Sequence, residues 1–240
     1  MTLNVYIGTE DNQLIPQKVL EYSIHKNAKT AVNVTPVKQE GKRVGGTNFG
    51  FVRFYVPKLN GYEGKAVYLD ADQLVFSDIN DMLNELDENH TIGLVNNAVG
   101  TFGNKPVGQV NQTSVMIMDC AKLKSWNPET MFDHVVPNRS ALEEGQIHYR
   151  DFMKLDWFDQ AEIQSIDNRW NHFNIVEDDS KLTHFSYVRE QPWKNPSHPL
   201  AKFWGEWLRE AIRANAVSRR ELLSEIWRGS VHKRFVSYLF

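Results

Sequence analysis

Cysteine is almost absent from this chain: Cys120 is the one thiol in 240 residues, so an internal disulfide has no second partner. Long apolar runs are missing too. None approaches the roughly 18 residues that a membrane helix requires, and Met1-Thr2-Leu3-Asn4-Val5 lacks the basic stretch leading into an apolar one that marks a secretion signal. A cytoplasmic protein is expected. Nor is there a surplus of positive charge, since 27 Lys and Arg stand against 30 Asp and Glu, a net charge of −3. Polynucleotides need clustered cations to neutralise their phosphates, so no nucleic-acid partner is expected. Internal repeats are lacking as well, and at this length one α/β domain accounts for residues 1–240.

What the chain does have is alternation of strand and helix. Residues 3–8 read as a strand, 17–26 as a helix with Val19, Leu20, Ser23 and Ile24 on one face, and 31–37 as a second strand. Gly41, Gly45 and Gly46 mark residues 38–47 as a loop suited to closing over a ligand. Residues 49–59 predict a helix closed by Pro57, 64–70 a buried strand, 78–86 a helix, 91–95 and 113–118 further strands, and 120–126 a helical segment. Two shorter strands follow at 162–166 and 181–187, and the pattern is helical from His198 onward. Such alternation implies a mostly parallel sheet with its binding sites at the carboxyl ends of the strands. Residues 1–205 form the expected core and 206–240 a helical extension. The last thirty residues set Arg213, Arg219, Arg220, Arg228, Lys233 and Arg234 against Glu221 and Glu225, with Trp227, Phe235, Tyr238 and Phe240 interleaved. The extension packs on its own domain as an amphipathic helix, or else touches a membrane surface or a second copy. Because it follows every motif, it is expected to tune location or assembly and not chemistry.

The most informative stretch is Ala66-Val67-Tyr68-Leu69-Asp70-Ala71-Asp72, two carboxylates one residue apart at the end of an apolar strand. Leaving the strand, both acids can turn to one ion with only alanine between them. Hard oxygen ligands of this kind suit Mg²⁺ or Mn²⁺, whose coordination a diphosphate then completes. A strand-end Asp-x-Asp also fits a phosphohydrolase of the haloacid-dehalogenase type, with Asp70 as nucleophile and Asp72 as acid/base. That motif normally opens its chain, whereas here a strand, a helix and a strand precede it. A sugar-binding module without catalysis is the non-enzymatic alternative.

Gly46-Thr47-Asn48-Phe49-Gly50-Phe51-Val52-Arg53-Phe54, through Asp70-Ala71-Asp72 to Asp78-Ile79, resembles the donor-site segment of glycosyltransferase family 8. Val5-Tyr6-Ile7-Gly8-Thr9, residues 113–119, and His184-Phe185 followed by Gln191-Pro192-Trp193 and His198-Pro199 fit in the same order. The resemblance implies a nucleotide-diphospho-sugar transferase fold of the GT-A type and retaining transfer of a hexose from a nucleotide-diphosphate sugar, UDP-sugar above all. The acceptor would be a glycan, lipid or protein. It implies Mn²⁺ or Mg²⁺ held by Asp70, Asp72 and His184, and a donor surface made by Ile7, Gly8, Thr9, Tyr68, Ala71, Thr113, Ser114, Gln191 and Trp193. Arg53 would face the nucleotide or donor sugar, and Asp151 would stand near the reacting sugar, in preference to Asp159-Gln160. Gln191 occupies the place of a family lysine that touches the diphosphate, so Arg189 or Lys194 is expected to supply that charge. Trp193 and Phe185 are equally consistent with core aromatics.

Overall fold

The computed structural model describes residues 2–39, 50–103 and 105–239; most of the glycine-rich loop and the Gly46–Phe49 part of the motif lie outside them. Nine strands matter here: β1 (Leu3–Thr9), β2 (Val32–Lys38), β3 (Lys65–Asp70), β4 (Gln73–Val75), β5 (Ile92–Val95), β6 (Gln112–Asp119), β7 (Ile163–Ser165), β8 (His172–Phe173) and β9 (Leu182–His184). Six make one sheet in the order β7-β5-β6-β3-β1-β2. All neighbours run parallel except at β6, which is antiparallel to both β3 and β5. A small sheet, β8-β9-β4, lies beside it.

Alternation builds the core. Val5, Ile7, Val67, Leu69, Val115 and Ile117 point to one face with Leu20 and Ile24 of helix α1 (Leu14–Asn27), while Tyr6, Ala66, Tyr68, Met116 and Met118 point to the other with Phe54, Trp126 and Phe152. Each large apolar side chain so buried stabilises the fold by about 1.5–3 kcal/mol. Cys120 sits in this second layer, where burial pushes its thiol up to about 12. It is a packed apolar group and not a reactive one.

Several elements differ from expectation. Pro57 does not close a helix. Val52–Tyr55 forms a 3₁₀ turn that runs into α2 (Val56–Leu59), with Pro57 in the first turn, where its missing N–H is no loss. Residues 120–126 form turns, because the Asp119 carboxylate accepts the Ala121 N–H and its carbonyl the Lys122 N–H, a local alternative to helix. The strand expected at 181–187 is only Leu182–His184.

The C-terminal segment is integral to the molecule. Helices α5 (Ala201–Arg213) and α6 (Arg219–Trp227) are counted after α3 (Ile79–Leu83) and α4 (Tyr149–Met153), and position 205/206 falls inside α5. Val231, Phe235 and Leu239 join Trp193, Trp204, Leu208 and the outer face of α1 in a third apolar cluster. His232 N–H donates to the Trp193 carbonyl at 2.7 Å. No helix among the described residues is long and apolar enough to cross a membrane.

Candidate active site

Strand register brings the motif together. In the β1–β3 pair Gly8 lies opposite Asp70, and β6, running the other way, starts at the same edge with Thr113 and Ser114. The chain turns after Asp70, and β4 pairs with β9 so that Gln73 faces His184. The backbone of Asp72 is pinned by Phe185 N–H, which donates to its carbonyl at 2.8 Å. Asp70, Asp72 and His184 therefore meet at one sheet edge, all buried, with ligand atoms within 4.8 Å of one another.

Each member is held by named partners. Tyr68 Oη donates to Asp70 Oδ1 at 2.6 Å, and Arg53 Nη2 donates to Asp70 Oδ1 at 3.0 Å. Arg53, itself 5% exposed, also donates to the Gly50 carbonyl and, at 2.7 Å, to Thr113 Oγ1. Burial raises the Asp70 carboxyl above the usual carboxylate range and the Asp72 charge adds to the rise, against the opposing pull of Arg53, His184 and Tyr68. Gly8 is required by this packing: a Cβ there would lie 2.1 Å from Tyr68 Oη.

Asp72 Oδ2 accepts a 2.9 Å bond from Gln191 Nε2. Among the described residues its Oδ1 meets only His184 Nε2, at 3.2 Å. On the far side of the ring His184 Nδ1 lies 3.2 Å from Ser114 Oγ, which accepts from Asn171 Nδ2 at 3.2 Å. In the tautomer with its proton on Nε2, His184 donates to Asp72 Oδ1; in the tautomer with its proton on Nδ1, Nε2 presents a lone pair to Asp72 Oδ1, and the two acceptors together can hold a cation. Two carboxylates and an imidazole could hold a divalent cation.

Two hollows adjoin this edge. One of about 1020 Å³ opens beyond the ends of β1 and β2, lined by Thr9, Glu10, Asn12, Thr35 and Lys38, with Arg228 and Ser230 of the C-terminal segment on its rim. The other, about 510 Å³, is lined by Arg53, Thr113, Ser114, His184, Arg150 and Lys154.

Other expected residues lie elsewhere. Gln191 is wholly buried and donates to Asp72 and to the Phe185 carbonyl; it orients a carboxylate. Trp193 is wholly buried against Phe185 and Trp204, in the core. Ile7 and Ala71 are also buried, Ala71 N–H donating to the Gly8 carbonyl at 3.0 Å. Asp151 pairs with Arg139, and the Asp159 carboxylate caps the turn at Ala161. The two candidates for the family lysine's charge differ in burial. Arg189 is exposed, whereas Lys194 is half-buried near Asp72 and Glu10, with burial pulling its ammonium below the usual lysine range.

No family model matches the chain. Protein CDI of Arabidopsis thaliana is 23% identical over 239 residues, covering 90% of this chain and 89% of that protein. Among solved structures, the galactosyltransferase LgtC in complex with donor and acceptor sugar analogues superposes with a TM-score of 0.66 at 12% identity, over 95% of this chain and 100% of LgtC. Apo GlyE, a glycosyltransferase of Streptococcus pneumoniae, gives 0.64 at 17% identity over 90% of this chain. The apo bifunctional glycosyltransferase WbbM gives 0.63 at 14% over 95%. The chain spans 64% of the GlyE chain and 51% of the WbbM chain. The fold is thus that of the GT-A glycosyltransferases, an α/β architecture on a mostly parallel sheet.

Proposed function

We propose that this protein is a metal-dependent, retaining glycosyltransferase that moves a hexose from a nucleotide-diphosphate sugar, UDP-sugar in the first instance, to an acceptor hydroxyl. The observation that carries the reading is the meeting of Asp70, Asp72 and His184 at one buried sheet edge. The galactosyltransferase of the same fold, held with donor and acceptor sugar analogues, supports it.

Asp70, Asp72 and His184 hold the divalent ion, Mn²⁺ or Mg²⁺, which when bound offsets the charge that develops on the departing diphosphate. The chain's own groups do the rest. Arg53 and Tyr68 aim Asp70 and oppose the rise that burial imposes on its carboxyl, Gln191 orients Asp72, and Ser114 positions the His184 ring. Lys194 takes the place of the family lysine and draws the diphosphate by charge. The nucleoside lies in the hollow beyond Thr9, and the donor sugar in the one floored by Arg53 and Ser114, near Asp151. A panel of nucleotide sugars assayed for release of nucleoside diphosphate with Mn²⁺, and again after EDTA, tests the proposal. Metal-dependent turnover of one donor is expected; hydrolysis of simple phosphate esters with no nucleotide-sugar turnover contradicts it.

We also propose that the outward face of α6 makes a peripheral contact with an anionic membrane surface, a second copy of the chain being the alternative. On α6, Arg220, Leu223 and Trp227 share an outward face, with Leu223 47% and Trp227 88% exposed, basic and aromatic as lipid-surface helices are. Cosedimentation with phosphatidylglycerol vesicles, lost in Trp227→Ser and absent with phosphatidylcholine alone, is the expected result. Concentration-dependent dimerisation without vesicle binding assigns the face to a second copy instead.

A further inference from the structure

The short helix α4 ends in a way that its sequence makes costly. It holds five residues, Tyr149–Met153, and the chain leaves it through Leu155, whose φ is +61° and whose side chain is wholly buried. Glycine is the usual residue at this place, and a leucine there is strained. The turn is closed by Leu155 N–H, which donates to the Phe152 carbonyl at 3.0 Å, and by Asp156 N–H, which donates to the Asp151 carbonyl at 3.1 Å. Packing of the leucine side chain in the second apolar layer holds the conformation. So do two bonds to the Leu155 carbonyl, from Gln160 Nε2 at 2.7 Å and Phe158 N–H at 3.0 Å. Strain of this kind persists where the surroundings enforce it, and it gathers at functional sites.

What the turn achieves is seen at the last carbonyls of the helix, which have no partner within it. Side chains at the start of β6 take them. Thr113 Oγ1 donates to the Met153 carbonyl at 2.7 Å, and Asn111 Nδ2 to the Lys154 carbonyl at 2.9 Å. A threonine hydroxyl has a single proton to give. Thr113 gives it to Met153, and with a lone pair it accepts from Arg53 Nη1 at 2.7 Å. Arg53 is thereby fixed on three sides, through Nε to the Gly50 carbonyl, Nη1 to Thr113 and Nη2 to Asp70. An unbroken path of buried hydrogen bonds therefore runs from the end of α4 through Thr113 and Arg53 to Asp70. The same stretch of chain supplies Tyr149, Arg150, Met153 and Lys154 to the hollow at Arg53.

Building on the transferase reading, we propose that Thr113 is a positioning residue and not a donor contact: its hydroxyl ties the Arg53 guanidinium to the end of α4 and so sets the aim of Asp70. Family resemblance put Thr113 on the donor surface, but its proton is already spent within the protein. One wall of the sugar hollow and one ligand of the ion then move as a unit. A displacement of α4 is felt at Asp70.

The test compares Thr113→Val, which keeps the side-chain shape and deletes the hydroxyl, with Thr113→Ser, which keeps the hydroxyl, both in the full chain. The first readout needs no ligand. The ¹H–¹⁵N signal of Arg53 Nε–H, assigned by its absence from Arg53→Met, should be protected from solvent exchange in the native protein and in Thr113→Ser. In Thr113→Val it should exchange about tenfold faster or more, as loss of a hydrogen bond to a charged group implies. The second readout is calorimetry of UDP and of UDP-glucose with Mn²⁺. Thr113→Val should weaken both by the same factor, about two- to tenfold, the span of a single hydrogen bond, and Thr113→Ser should restore both. If circular dichroism shows Thr113→Val to be unfolded, Thr113→Ala makes the same comparison. An Arg53 signal indifferent to the hydroxyl, or a loss that serine does not restore, overturns the proposal. So does weakening of UDP-glucose alone, which makes Thr113 a donor contact. Failure of UDP to bind the native protein with Mn²⁺ sinks the transferase reading separately, because the Arg53 signal is read without nucleotide or metal.

Discussion

Arg53 is the buried cation on which the acidic half of the site depends, and its removal has a signed dependence on pH. Arg53→Met keeps the apolar stem and deletes the charge that donates to Asp70 at 3.0 Å. Breaking a buried pair by removing one partner leaves the other charge uncompensated and costs about 3–5 kcal/mol, a large share of the about 5–15 kcal/mol that holds a domain together. Burial already holds Asp70 above the usual carboxylate range, and Arg53 is the strongest influence in the other direction. Without it the folded-state carboxyl titrates higher still, while the unfolded-state value, about 4, is unchanged. A group whose pKa is raised on folding favours the fold below its unfolded pKa and loses that contribution as pH rises through its folded pKa. The deficit of Arg53→Met against the native protein is therefore largest at neutral pH and narrows as pH falls. Urea denaturation in EDTA between about pH 4.5 and 8 measures it. Adding Asp70→Asn should recover part of the loss, because no unpaired carboxylate is then buried. A deficit below about 1 kcal/mol, of the size expected of an exposed pair, or one that does not vary with pH, refutes the reasoning.

Gly8→Ala should displace the Tyr68 ring, lower the denaturation midpoint by the about 1–3 kcal/mol typical of overpacking, and weaken metal-dependent UDP binding; calorimetry and thermal melts check both, and a neutral outcome contradicts the Gly8–Tyr68–Asp70 linkage. Lys194→Met should weaken UDP about tenfold or more, as loss of a close charge pair does, and leave uridine affinity as it was, so equal effects on the two ligands would falsify its phosphate role. Deleting residues 231–240 removes Val231, Phe235 and Leu239 from the third apolar cluster, each worth about 1.5–3 kcal/mol. We expect a poorly folded product by circular dichroism, contrary to the sequence expectation that the tail is separable from chemistry; a fully stable truncation overturns the packing argument.

What the sequence revealed, and what it hid, divides along local and non-local lines. The alternation of Val67 and Leu69 with Tyr68, and of Val115 and Ile117 with Met116, is a local pattern that strand geometry imposes, so the central strands were legible. Asp70-Ala71-Asp72 stood out because it terminates such a strand. His184 was reachable through family resemblance alone, since pairing with β4 sets its place. Gln191 donates to Asp72 across 119 positions, and no periodicity reports such a contact. Lys194 was offered beside Arg189 through the resemblance, but its nearness to Asp72 and Glu10 follows from the fold of three separate segments and was hidden. Pro57 misled because proline both starts and stops helices, and only the preceding 3₁₀ turn decides which.

The central claim is that Asp70, Asp72 and His184 hold one divalent ion against a nucleoside diphosphate. Isothermal titration of UDP into the native protein with Mn²⁺, after EDTA, and into His184→Ala and Asp72→Ala tests it directly. The account predicts clear binding with Mn²⁺, loss of that binding on chelation, and weakening by at least about tenfold in either variant, the lower bound of losses caused by changes one shell further out. Equal UDP affinity with and without metal, unchanged in both variants, contradicts it.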